Sequence, residues 1–271
     1  TRTTTAKTPE GLWQITGQGN KQQFNFANLD YLGIAGHLQA DGQLSWPQGF
    51  VWQANVKLDD FKTVSWLANW PAQLTGKTQS AGVWRSNQHQ LNFSQTALQG
   101  QLKSLPLQVS GDLQLDLTNA GQLPYFQAHQ LMMDWDKNHL GVEGGFNKTW
   151  DLTVDNQLND LAAIDARLKG QLSGVVVVQG RQKAPALTLN LSAEQFQFQQ
   201  VGVSSLSVSG TLPELGAGAG FLQISAKNLT AANRVIPDLG LVMEGSRADH
   251  QITWQMAADP VAAEGILHGA L

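Results

Sequence analysis

The chain has 271 residues and a formal net charge of −4, and charged residues make up only 14% of it, against about 25% in typical soluble domains. Its polar surface must therefore come mainly from neutral Gln, Asn, Ser and Thr, and no basic field exists to hold nucleic acid. The absence of Cys excludes disulfides and thiolate metal sites. The length suits two ordinary domains or one large all-β unit.

The first segments alternate apolar and polar residues with a period of two, a pattern that predicts β-strands. Strands are expected within residues 12–16, 24–26, 31–46 and 50–58. Residues 1–10 are interpreted as a linker, and residues 11–271 as one repetitive β region.

Three segments fit a helix better than a strand: residues 59–70, 158–166 and 230–236. The first has Asp residues at its start and Pro71 after its end, as caps and helix stops usually do. The first two are each followed by Leu-x-Gly, ending at Gly76 and Gly170. This recurrence indicates repeat-like units that start near residue 59 and near residue 158.

The most regular alternation lies in residues 105–117 and 168–212, where every second residue is Leu, Val or Phe over long stretches. Gly, Pro and polar runs at residues 180–185 and 199–202 predict turns between strands. Gly144-Gly145 is also a plausible turn. The expected structure is an antiparallel meander with one dry face.

Motifs that carry chemistry are lacking. The Gly-rich stretch at residues 216–220 has no following Lys-Ser/Thr, and the six His residues show no metal-ligand spacing. Asp112 and Asp116 lie on the parity opposite the leucines, where solvated charge is expected. We therefore expect a protein without catalysis, cofactor or metal.

A sheet with one apolar face must bury that face. A second sheet could cover it in a structural β-sandwich, or the coils of a β-solenoid could stack on one another and bury it. Either would be a structural module of a surface adhesin or a secreted passenger. A sheet curled on itself could instead bind acyl chains on this face. Each methylene removed from water would contribute about 0.8 kcal/mol of favourable binding free energy. The pattern alone favours the sandwich, because that fold is common.

Residues 158–212 narrow these alternatives. A helical plug is followed there by a Gly-punctuated strand, a Gly-to-Pro turn, a third strand and a closing strand. The residues that carry this order are Leu168, Gly170, Leu172, Gly174, Gly180, Pro185, Ala193, Phe196, Phe198, Leu206, Val208, Gly210 and Leu212. In this arrangement the chain resembles the repeats of the TamB and AsmA-like family of bridge-like lipid-transfer proteins.

The resemblance implies a mainly β fold, a long antiparallel meander curled into an elongated β-groove (β-taco-like) with one or two short helices. It implies an interior fragment of an inner-membrane-anchored protein, placed in the periplasm of a Gram-negative bacterium. Phospholipid acyl chains and the outer-membrane protein TamA are the implied partners. The implied roles are phospholipid transport between the two membranes and assembly of outer-membrane proteins and autotransporters.

On this hypothesis the alternating apolar residues line the groove. The candidates are Leu107, Val109, Leu113, Leu115, Leu117, Leu131, Met133, Trp135, Leu152, Val154, Leu172, Val176, Val178, Leu187, Leu189, Leu191, Phe196, Phe198, Leu206, Val208, Ile224, Ile252, Trp254 and Met256.

Overall fold

A computed structural model describes residues 10–64, 68–86, 88–117, 125–231, 234–258 and 261–270. The chain divides into two compact units, residues 1–136 and residues 137–271. Both consist almost entirely of antiparallel β-strands, which confirms the predicted mainly β meander. No helix within the described ranges combines the length and the apolar character needed to cross a membrane.

Unit 1 is a meander of eight described strands, each paired antiparallel with the next along the chain. The strands are β1 (Gly11–Gly19), β2 (Gln23–Gly33), β3 (Gly36–Ser45), β4 (Phe50–Lys62), β5 (Ala72–Arg85), β6 (Gln88–Leu102), β7 (Leu105–Asp116) and β8 (Tyr125–Trp135).

Unit 2 continues in the same manner with nine described strands, again paired in chain order. They are β9 (Asn138–Asn147), β10 (Thr149–Leu158), β11 (Leu168–Arg181), β12 (Ala184–Phe198), β13 (Val201–Leu212), β14 (Gly220–Ala231), β15 (Arg234–Ser246), β16 (Asp249–Ala258) and β17 (Val261–Gly269). The predicted turns at residues 180–185 and 199–202 fall at the β11–β12 and β12–β13 connections.

One short helix, α1 (Leu161–Ile164), lies within the segment predicted at residues 158–166. Asp160 caps it, because its Oδ1 accepts a hydrogen bond of 3.0 Å from the backbone N–H of Ala162. The buried Asn138 fixes Asp160 in turn: its Nδ2 donates to the Asp160 carbonyl and its Oδ1 accepts from the Asp160 N–H. A single 3₁₀ turn, Pro213–Gly216, precedes β14.

Two helix predictions and one turn prediction are wrong. β4 extends through Lys62 into the segment predicted as a helix at residues 59–70, of which residues 65–67 lie outside the described residues. β14 and β15 occupy the described part of residues 230–236. Gly144-Gly145 lies inside β9 and is not a turn. Gly144 has a positive φ of 83° and packs closely against the backbone of β10.

Inserted residues reset the period of two inside several of the described strands. Asp60 in β4, Gln95 in β6, Gln130 in β8 and Gln195 in β12 have φ between 46° and 52°, and each coincides with a shift in the cross-strand register. Such bulges leave one residue unpaired and bend the strand. Apolar residues therefore keep to one side of the sheet although their parity in the sequence changes.

Glycines on the neighbouring strands make room for the bulges. Gly111 (φ 107°) and Gly170 (φ 94°) face the carbonyl oxygens of Gln130 and Gln195, which would lie 2.2 and 2.4 Å from a Cβ at each glycine. A side chain would collide with backbone there, and the positive φ adds strain for any L-residue with a Cβ. Only glycine fits both demands.

Substitution of Gly170 by Ala tests this coupling of glycine and bulge. We expect Gly170→Ala to lower the free energy of unfolding by about 1–3 kcal/mol, because it combines a strained φ with a backbone clash. Gly141→Ala in the same unit is the matched control, since the nearest atom to its Cβ would be 3.8 Å away. Urea unfolding of the two variants measures the difference, and equal losses would contradict the coupling.

Candidate functional site

The cross-strand registers place the apolar side chains of unit 1 on one side of its sheet, called here the apolar face. A row of aligned residues crosses all eight strands. Its members are Trp13, Tyr31, Leu38, Leu58, Gly76, Leu98, Val109 and Met133. Aligned residues of neighbouring strands point to the same face, so the row is a continuous apolar strip that runs across the strands.

Unit 2 has an apolar face of the same kind, and one row crosses all nine of its strands. Its members are Val142, Val154, Val176, Leu189, Gly210, Leu222, Met243, Ile252 and Leu267. Val175 and Val177 align instead with Asp155 and Thr153 and belong to the opposite, hydrophilic face. The register thus divides the four valines of residues 175–178 between the two faces.

The groove-lining candidates fall on these apolar faces, with eight in unit 1 and sixteen in unit 2. Leu107 and Trp135 are buried, Leu117 and Phe198 are exposed, and the other twenty are half-buried. In a closed sandwich such rows form a buried core. Here the described residues leave the rows partly open to solvent, so an apolar surface remains available.

Two tryptophans on the apolar faces lie flat over glycines of the next strand. A Cβ at Gly82 would lie 2.2 Å from a ring carbon of Trp52, and one at Gly265 would lie 2.8 Å from Nε1 of Trp254. Trp52 and Gly82 are register partners, as are Trp254 and Gly265. Because each glycine has no side chain, the indole ring of the tryptophan occupies the space that a side chain would take.

One polar residue interrupts the apolar face of unit 2. Asn156 follows Trp150, Leu152 and Val154 on the same side of β10 and is only 7% exposed. Its Nδ2 donates to the Gly174 carbonyl at 2.8 Å, while its Oδ1 has no protein partner. A buried acceptor without a donor costs stability. Asn156 is not among the residues predicted from the sequence, although it breaks an otherwise regular alternation.

Unit 1 carries a recess with a volume of about 1090 Å³. Each strand from β3 to β7 contributes polar residues that alternate with apolar or small ones, as Gln39 and Asp41 do around Ala40. Lys57 and Lys77 are register partners at its centre, and neither pairs with a carboxylate among the described residues. Leu58, Gly76, Leu98 and Val109 of the apolar row also line this recess, and Val109 is one of the predicted lining residues.

Electrostatic interactions on the hydrophilic face of unit 1 join side chains of neighbouring strands. His37 Nε2 lies 2.7 Å from Asp30 Oδ1, and Gln39 donates to the same oxygen at 3.2 Å. The hydrogen bond from His37 holds the pKa of Asp30 below its usual range. No described group of three or more His, Asp or Glu residues is arranged to hold a metal ion.

An aromatic cluster ends the apolar face of unit 1 at the turn from β6 to β7. Nζ of Lys103 lies 3.6 Å from the ring centroid of Trp70 and 5.8 Å from that of Trp135. The two indole rings are 5.9 Å apart. Trp135 Nε1 donates a hydrogen bond of 3.0 Å to the Leu102 carbonyl. Of this group, only Trp135 is among the predicted lining residues, because the other members lie in loops without a strand pattern.

These features define a class: repetitive single-layer β proteins that keep one apolar face open and hold no assembled catalytic group in the described part of the chain. The family model described as "TamB, N-terminal domain" matches residues 1–271, and the chain belongs to this family. The chain is similar to the "Translocation and assembly module subunit TamB" of Haemophilus influenzae, with 22% identity over 262 residues. No solved structure matches the chain.

That alignment covers 96% of this chain and 20% of the Haemophilus protein. The chain thus spans about a fifth of the length of the curated relative it matches.

Single cysteines provide a test of the two faces, because the chain has none of its own. We expect a spin label at Leu189→Cys to report a less polar environment and less contact with a water-soluble relaxation agent than one at Asn190→Cys. The reason is that Leu189 is half-buried in an apolar row while Asn190 is exposed on the hydrophilic face. Identical label environments at the two positions would show that the faces do not differ as described.

Proposed function

We propose that the apolar faces bind phospholipid acyl chains and that the chain forms part of a non-catalytic conduit. In this proposal it works in the periplasm as a piece of an inner-membrane-anchored protein. It passes phospholipid between the inner and outer membranes and serves outer-membrane protein and autotransporter assembly together with TamA. Membership of the TamB family and the relative's name, a translocation and assembly module subunit, support this assignment.

The observation that carries the proposal is the row of apolar residues across all nine strands of unit 2, which is half-buried except at the exposed Leu267. Neighbouring strands are about 4.8 Å apart, so nine strands extend over about 38 Å along the sheet. An acyl chain spans about half of a 30 Å bilayer core, or about 15 Å. A chain lying along the row would cover only a few strands, and the remaining strands offer equivalent positions for its advance.

The energetics fit reversible binding along such a face. Each methylene removed from water contributes about 0.8 kcal/mol, so a long acyl chain gains on the order of 10 kcal/mol on a fully dry surface. A half-open face removes only part of the chain from water and yields a correspondingly smaller gain. Weak and repeated binding positions suit transfer better than one tight site, because a ligand must also leave each position.

The alternative hypothesis of a closed structural sandwich has less support. A sandwich core needs a second sheet over the apolar rows, whereas each unit's described strands form one meander whose rows are mostly half-buried. A solenoid needs stacked coils of short period, whereas the described strands of each unit are hydrogen-bonded in chain order within a single sheet.

Adjacent valines offer a matched pair for the test. Val176 and Val177 have the same side chain and lie on opposite faces of β11. We expect Val176→Asp to reduce phospholipid bound to the purified chain by about tenfold, because a carboxylate on the acyl path must be desolvated. Val177→Asp should leave bound lipid within about twofold of the wild type, since it adds one exposed charge to a polar surface.

Bound phospholipid is measured by extraction and mass spectrometry of each variant, with circular dichroism to verify the β content. Equal loss of lipid in both variants, or retention in both, would refute acyl-chain binding on the apolar face.

A further inference from the structure

The two-residue turn between β6 and β7 contains no glycine. Lys103 and Ser104 have φ of 51° and 66°, a left-handed conformation at both positions. Hairpin turns of this form strongly favour Asn-Gly, because a Cβ makes the left-handed backbone costly. The chain accepts this cost here as it does at Asp136, Lys148 and Gln199 in other connections. The turn places the Lys103 side chain beside two indole rings.

The turn holds the Lys103 ammonium in a defined place. The backbone N–H of Lys103 donates a hydrogen bond of 2.9 Å to the Pro71 carbonyl, which fixes the turn next to Trp70. The side chain then reaches over the Trp70 ring, with the Trp135 ring beside it. Trp135 is 3% exposed and Trp70 is 43% exposed, so the ammonium lies between the buried interior and solvent.

This position is the boundary of the apolar face. Trp135 is the register partner of the buried Leu107 on that face, whereas the hairpin turn itself faces solvent at Ser104. Tryptophan with lysine is the combination that proteins place where an apolar layer meets water. The Lys103 ammonium pairs with no carboxylate among the described residues. Ring faces use only part of its three-donor capacity.

We propose that Lys103, held by Trp70 and Trp135, is a headgroup subsite that binds the phosphate of a phospholipid. The acyl chains of the same lipid lie on the adjoining apolar face of unit 1. The inference rests on the proposed function, which supplies the acyl chains, and adds a fixed position for the charged end of the ligand. A free phosphate without acyl chains is not the expected ligand, because a single ammonium near solvent holds it weakly.

The test compares a phospholipid with the neutral lipid that has the same chains. The 271-residue chain, freed of lipid, is titrated by native mass spectrometry with dioctanoyl phosphatidylglycerol, dioctanoylglycerol and glycerol 3-phosphate. We expect Lys103→Ala to weaken phosphatidylglycerol binding by about tenfold, the effect of losing one charged hydrogen bond. Binding of dioctanoylglycerol should not change, and glycerol 3-phosphate should not bind measurably.

Two further variants control the experiment. Lys57→Ala removes a lysine from the hydrophilic face and should leave both lipid affinities unchanged. Lys103→Gly removes the ammonium while relieving the left-handed turn, so it folds even where Lys103→Ala is unstable, and it should show the same selective loss.

Each contrary result overturns the subsite in a distinguishable way. Equal weakening of both lipids by Lys103→Ala would make Lys103 a purely structural residue. No change in either affinity would remove it from the binding site. Comparable binding of glycerol 3-phosphate would make it a free-phosphate site. Failure of the wild type to bind either lipid would refute the proposed function together with the subsite.

Discussion

The cross-strand register is the constraint on which the other features of both units depend. A strand shows one side chain in two to each face, so a shift of a single residue would turn its whole apolar set to the other side. The bulges at Asp60, Gln95, Gln130 and Gln195 each produce such a one-residue shift within their own strand. They return the next apolar residue to the same face, and glycines such as Gly111 and Gly170 give their carbonyls the necessary space.

Much of this architecture could be predicted from the sequence, because alternation is a local signal. The strands of residues 105–117 and 168–212 and their turns agree with the pattern. The bulges explain part of what failed. Phe61 follows Leu58 at helical spacing, yet it belongs to the same strand face because Asp60 is inserted between them. A single inserted residue in a strand therefore imitates the spacing of a helix.

Other features could not be predicted because they depend on contacts distant in the sequence. The four valines of residues 175–178 have no alternation to read, and only the partners Asp155 and Thr153 on β10 decide their faces. The cluster around Lys103 joins two loops and the end of a strand, and its members show no common spacing. The lining role of the candidate residues remains a prediction, since the register defines their face but not their ligand.

The number of residues between two positions of a strand decides whether their side chains lie on the same face. Removal of a paired residue such as Asn190 alone would shift the phase within β12: Leu187 and Leu189 would move to the opposite face from Leu191. Removal of the bulged Gln195 would instead leave Phe196 and Phe198 in phase with Leu187 to Leu191. Loss or gain of two residues would preserve the phase, and a single change could be tolerated only next to an existing bulge or in a turn. Length variation among descendants of such a chain should therefore come in pairs within strands, even where the amino acids themselves drift freely.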